Sequence, residues 1–122
     1  MAKIKKLYIG DAQVLPSVGG FQPEKVESVY GTNLIWPEPG YEYHIKVSSV
    51  LQLNVVNHFD FETRIYVTFT SSDYGTIDIH NIGGTKYIKQ IIPANPKLEK
   101  DKKYLISIQN GILAVVEYSE VQ

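Results

Sequence analysis

At 122 residues, with 12 basic and 13 acidic side chains and a formal net charge of -1, the chain has the length of one domain and almost no net field. A chain of this size can bury roughly two-thirds of its unfolded surface, and 43% hydrophobic residues supply a core without staples. The balanced charge leaves no basic excess to hold a polyanion, which argues against nucleic acid as a partner. The absence of cysteine excludes disulfides, thiolate metal sites and cysteine nucleophiles together.

The most apolar run, Val50 to Val56, is broken by Gln52 and Asn54 and is far shorter than the roughly twenty residues a membrane helix needs, so no membrane is expected as partner. Leu7-Tyr8-Ile9 is followed at once by Gly10-Asp11, too soon for the apolar region of an export signal.

Residues 1–40 are punctuated by Pro16, Gly19, Gly20, Pro23, Pro37, Pro39 and Gly40. Proline fixes φ and lacks a ladder donor, so this region reads as an extended N-terminal arm of short pieces and small hairpins. Leu7-Tyr8-Ile9-Gly10-Asp11-Ala12-Gln13-Val14 and Val29-Tyr30-Gly31-Thr32-Asn33-Leu34-Ile35-Trp36 share one plan: an aromatic-bearing strand, a glycine turn with a small polar residue, and a short apolar strand.

Residues 41–122 read as an antiparallel β domain. From His44 to Val56 the odd positions Ile45, Val47, Leu51, Leu53 and Val55 are apolar, which predicts one long strand bulged at Ser48-Ser49. Thr63 to Thr70 alternates with Ile65, Val67 and Phe69 on one face. Across the polar Ser71–Gly75 turn, Thr76 to His80 alternates back, so these two segments are expected to pair as a hairpin. Gly83-Gly84 predicts a turn, Tyr87 to Ile92 a strand ended by Pro93, and Lys97 to Lys103 a charged, solvated loop. Asn110-Gly111 between Tyr104–Gln109 and Ile112–Tyr118 is the strongest hairpin signal in the chain, because both residues accept the positive φ of a type I′ turn. The last strand is apolar on both faces, so it is expected to be central or covered by another chain. No helical periodicity occurs, and the reading is all-β: an antiparallel β-sandwich or jelly-roll-like domain carrying the arm.

Catalytic signals are weak. Gly-x-Ser-x-Gly is missing, and His44, His58 and His80 read as surface histidines. Asp78 and His80 share a strand face, a spacing that alternation gives freely, and have no third ligand; Asp60 and Glu62 are likewise two apart, whereas paired glycosidase carboxylates stand across a cleft on separate elements. No catalytic residue, metal site or cofactor is expected. Nine Tyr, four Phe and one Trp leave three uses for aromatics: a sugar-binding face at Tyr41, Tyr43, Tyr66 and Tyr87, a protein interface, or plain packing.

Two stretches carry a resemblance. Lys6-Leu7-Tyr8-Ile9-Gly10-Asp11, then Val29-Tyr30-Gly31-Thr32-Asn33-Leu34-Ile35-Trp36-Pro37, and at the other end Pro96-Lys97-Leu98, Lys100 to Lys103, Tyr104 to Ile108 and Asn110-Gly111 leading into Ile112 to Tyr118, resemble modules of virion proteins of tailed bacteriophages. The second stretch is similar to the closing hairpin of tail, fibre and head-decoration domains. The resemblance covers under half of the chain. It implies a non-enzymatic structural protein made in the bacterial host cytoplasm and built into the virion, as an auxiliary capsid or decoration protein on the shell or a head fibre. Its partners would be the major capsid protein, other virion proteins, or further copies of itself. The alternative is a receptor- or carbohydrate-binding module of a tail fibre. The arm's apolar residues, Leu7, Tyr8, Ile9, Tyr30, Leu34, Ile35 and Trp36, are the expected partner-binding anchors, since they have too little chain to make a core and gain most by strand addition.

Overall fold

The computed structural model describes residues 21–71 and 73–118. The strands are β1 (Lys25–Val29), β2 (Leu34–Ile35), β3 (Tyr41–Val47), β4 (Val50–Val55), β5 (Thr63–Phe69), β6 (Tyr74–Asn81), β7 (Gln90–Ile92), β8 (Leu98–Glu99), β9 (Lys103–Gln109) and β10 (Ile112–Glu117). They form a six-stranded sheet in the order β1-β3-β5-β9-β10-β7 and a four-stranded sheet in the order β2-β4-β6-β8.

Among the described residues the chain is nearly all-β, with one short 3-10 turn at Ile82–Gly84, but its first half is not the antiparallel sandwich or jelly roll that turn chemistry predicted. From β1 to β6 each strand passes to the opposite sheet, and within a sheet the successive strands pair in parallel: β1 with β3, β3 with β5, β2 with β4, β4 with β6. Parallel neighbours need a long crossover, commonly a helix. Here the strand in the other sheet is the crossover, so the chain coils. Lys25 lies opposite Tyr41, 16 residues on, and Glu42 opposite Arg64, 22 on; in the smaller sheet the steps are 18 from Leu34 to Gln52 and 26 from Val50 to Thr76. Antiparallel pairing begins only afterwards, with β8 on β6, β9 on β5 and β10 on β9, while β7 closes the far edge in parallel with β10.

Three local expectations change accordingly. The long strand from His44 to Val56 is two strands, because Ser48-Ser49 is a corner between sheets rather than a bulge. The expected hairpin of Thr63–Thr70 with Thr76–His80 does not form: β5 and β6 lie in different sheets. The corner between them stacks on the previous corner instead. The N–H groups of Thr70, Ser71 and Thr76 donate to the carbonyls of Val47 (2.9 Å), Ser48 (3.1 Å) and Ser49 (2.9 Å). Val29 to Trp36 is likewise a corner, not a hairpin, with the Gln52 N–H donating to the Asn33 carbonyl at 2.8 Å.

Alternation did place the core. Ile45, Val47, Leu51, Leu53, Val55, Ile65, Val67 and Phe69 point between the sheets and are buried. Asn110 (φ 52) and Gly111 (φ 81) make the tight β9–β10 hairpin. β10 is interior as expected, between β9 and β7; Leu113 and Val115 face the main core, and Ala114 and Val116 join a second cluster with Tyr66, Leu105 and Tyr118 on the outer face of the larger sheet. The Tyr87–Ile92 strand is shorter than expected, because the Tyr87 and Ile88 N–H groups turn aside to the Asn81 side-chain oxygen at 3.0 and 3.3 Å. In the supposed solvated loop Leu98 is 1% exposed and belongs to β8. No described helix is long and apolar enough to cross a membrane.

Candidate docking edge and outer sheet face

The first coil is built from β1, the Gly31 corner and β2. Gly31 sits at φ +74, where a side chain would be strained, and Thr32 follows with its hydroxyl accepting the Leu34 N–H at 3.2 Å. This turns the chain from the larger sheet into the smaller one. β1 and β2 end their respective sheets, so among the described residues each pairs on one side only. Both edges lie at the same end of the coil, the kind of row of backbone groups on which a further strand can pair.

The expected anchors divide at this edge. Leu7, Tyr8 and Ile9 lie outside the described residues. Tyr30 is 86% exposed and Trp36 50%. Leu34 is half-buried and Ile35 is buried in the main core, so Ile35 holds the coil together rather than meeting a partner. Val26, 50% exposed on β1, belongs to the edge surface and was not among the expected residues. The only signal for it was its place on the even, outward-facing register of a strand whose odd positions point inward.

The outer face of the larger sheet carries a polar row and an aromatic row. Arg64, 1% exposed, donates from Nε to Glu62 Oε2 at 2.6 Å, and the Ser107 hydroxyl donates to the same oxygen at 2.8 Å. The Phe21 ring lies over the guanidinium, 4.5 Å from its centroid, and Arg64 Nη2 is buried with no hydrogen-bond partner. Phe21, Glu24, Phe61 and Glu62 line a cavity of about 390 Å³ beside this pair. In the next row His44 stacks on Tyr66 (4.8 Å, 10°), and Tyr66 meets Tyr118 edge-on at 5.0 Å. Burial pushes the Tyr66 hydroxyl up to about 12, with the Glu42 carboxylate adding to the shift. Tyr43, whose hydroxyl oxygen accepts the Glu38 N–H at 2.8 Å, is also pushed to about 12, chiefly by burial. A groove of about 230 Å³ runs beside Tyr30, His44, Lys46 and Thr68.

The histidines find partners of ordinary kinds. His44 Nε2 lies 2.6 Å from Glu42 Oε2, His80 Nε2 lies 2.8 Å from Asp78 Oδ2, and His58 meets the Tyr87 ring edge-on. Asp78 and His80 share a face as expected, but they pair with each other. Among the described residues no three metal-ligating side chains gather. Asp60 is exposed, whereas Glu62 is held by Arg64 and Ser107. Of the tyrosines considered as a sugar face, Tyr43 and Tyr66 are buried and Tyr41 and Tyr87 are half-buried. No family model, curated protein or solved structure matches the chain.

Proposed function

We propose that this chain is a non-enzymatic virion structural protein of a tailed bacteriophage, an auxiliary capsid or decoration protein that docks on the shell or on a head fibre by strand addition at the first coil. The observation that carries the docking part is the edge of β1 and β2, each paired on one side among the described residues and flanked by exposed Val26, Tyr30 and Trp36. A strand laid there gains main-chain hydrogen bonds along both sheets and aromatic contact area at small entropic cost. The virion assignment rests on the resemblance of the two end segments.

The test is labelling of particles from the source culture with antibody to the recombinant chain, alongside incorporation of the Tyr30→Ala/Trp36→Ala variant. Uniform head labelling, with weaker incorporation of a variant that remains folded, is the expected result. Unlabelled particles would remove the virion role, and a variant that unfolds would make the two aromatics part of the fold. A second reading, a receptor- or glycan-binding fibre module, is favoured by the groove beside Tyr30 and His44; glycan-array binding lost in Tyr30→Ala would support it.

A further inference from the structure

We propose that the cavity at the end of the larger sheet where β1, β3 and β5 begin binds the alkylammonium group of a ligand, the cation resting against the Phe21 and Phe61 rings with Glu24 as its counter-ion. This goes beyond the docking reading above and does not depend on it.

The coil itself assembles the site. In-register parallel pairing sets Lys25 beside Tyr41 and Glu42 beside Arg64, and Thr63 lies opposite Ile108 of β9. The residues that enter the three parallel strands, Glu24, Gly40 and Glu62, therefore follow one another across the sheet at about 4.8 Å per strand, with Gln109 next in the row. Gly40, in the middle, sits at φ +84, where a side chain would be strained. Its missing side chain leaves a hollow, because a β-carbon there would stand 3.8 Å from Glu24 Oε2 and 3.9 Å from Phe61 Cβ. Phe21 and Gln109 extend this hollow into the cavity of about 390 Å³, a size that suits a small organic ligand.

Charge selects the class of ligand. The Gly40 carbonyl accepts the Glu24 N–H at 2.8 Å and the Gly40 N–H donates to the Thr63 hydroxyl at 3.1 Å, so the backbone at the hollow is already paired. Arg64 is matched by Glu62 at 2.6 Å and covered by the Phe21 ring, and Lys25 turns to Glu27 at 2.9 Å. Among the described residues the exposed Glu24 carboxylate then has no hydrogen-bond or ion-pair partner. Glu24 and Glu62 against Arg64 leave one negative charge at the cavity.

The aromatic wall is held in place. Phe61 is 71% exposed, yet its loop is pinned on both sides: the Phe59 carbonyl accepts the Asn110 N–H at 2.9 Å, and Glu62 is held by Arg64 and Ser107. A fixed, solvent-facing ring beside a second ring and an unpaired carboxylate attracts an organic cation, since ring quadrupoles and carboxylate act together while the alkyl groups bury apolar surface. An anion would meet Glu24, and a neutral apolar group would desolvate that carboxylate without pairing it. A metal ion would find no third ligating side chain among the described residues. Because Glu24 is exposed, the expected Kd is on the order of 1 mM. Two carriers share this chemistry, a quaternary ammonium such as choline and the primary ammonium of a lysine side chain.

Two-dimensional amide NMR of the full chain tests the site and separates the carriers. The titrants are choline, butylammonium and the neutral tert-butyl analogue of choline, at constant ionic strength, read at the Gly40 N–H and the Gln109 side-chain amide. At least one cation should shift these signals and the neutral analogue should not. Glu24→Gln and Phe61→Ala should each weaken binding about tenfold, whereas Asp78→Asn, which removes an acid from the other sheet, should leave it unchanged. Phe61→Leu, which keeps apolar bulk without a ring, takes the place of Phe61→Ala if that variant does not fold. Choline binding more tightly than butylammonium assigns a quaternary carrier, and the reverse order assigns a lysine side chain. Three results overturn the proposal: neither cation shifting the signals at about 50 mM, the neutral analogue binding as tightly as the cations, or Glu24→Gln binding them as tightly as the parent. Failure here leaves the docking edge standing, and unlabelled particles leave this site standing.

Discussion

Replacing Arg64 by Met should destabilise the fold by about 3 to 5 kcal/mol, because it leaves the Glu62 carboxylate uncompensated in a nearly dry site. The Arg64 side chain is 2% exposed and that of Glu62 10%, their contact is 2.6 Å, and the Ser107 hydroxyl is the other donor to the same oxygen. Met keeps the volume and can hold its sulfur against Phe21, so loss of packing is a small part of the effect. Adding Glu62→Gln to Arg64→Met should recover most of the loss: the amide oxygen still accepts from Ser107, no charge is buried, and the unpaired Nη2 is gone as well. Urea denaturation followed by the fluorescence of the single tryptophan, Trp36, measures all three variants. If Arg64→Met alone costs less than about 1 kcal/mol, Glu62 is solvated after all, and the pair is an ordinary surface contact.

Gly75→Ala should cost about 3 kcal/mol, since a β-carbon there would stand 2.3 Å from the ring of Phe69, which is fully buried and has nowhere to move; a thermal midpoint within a degree of the parent would show that the ring yields. Stability should hold steady up to pH 10 and fall between pH 10 and 12, because Tyr43 and Tyr66 stay protonated in the fold while the unfolded chain loses those protons from pH 10 upward. The check is urea midpoints across that range, and the same slope in Tyr43→Phe/Tyr66→Phe would assign the fall to other groups.

The alternation in Ile45-x-Val47, Leu51-x-Leu53-x-Val55 and Ile65-x-Val67-x-Phe69 was enough to place the inward faces, though not to divide β3 from β4, because side chains on a strand alternate sides whatever the strand pairs with. Asn110-Gly111 was likewise sufficient for the β9–β10 hairpin, since the turn's positive φ values are a local requirement met by those two residues. Of the docking edge, exposed Tyr30 and Trp36 were legible as aromatics in a stretch without a core of its own. Ile35 had the same local appearance, and only its inward register placed it in the core.

Partner choice was the property that local chemistry did not carry. Ser48-Ser49 and Ser71–Gly75 have the composition of a bulge and a hairpin turn, yet both are corners between sheets, held by hydrogen bonds from one coil to the next. A polar, flexible turn can reverse a strand within its sheet or carry it to the opposite one, and the residues in the turn are the same. The difference lies in which arrangement buries both apolar faces, and that sum runs over strands far apart in sequence. The amino-acid sequence by itself therefore determined an all-β chain, the inward side of each long strand and the final hairpin. The tertiary structure decided that the first six described strands coil in parallel between two sheets, with β1 and β2 last in their sheets among the described residues.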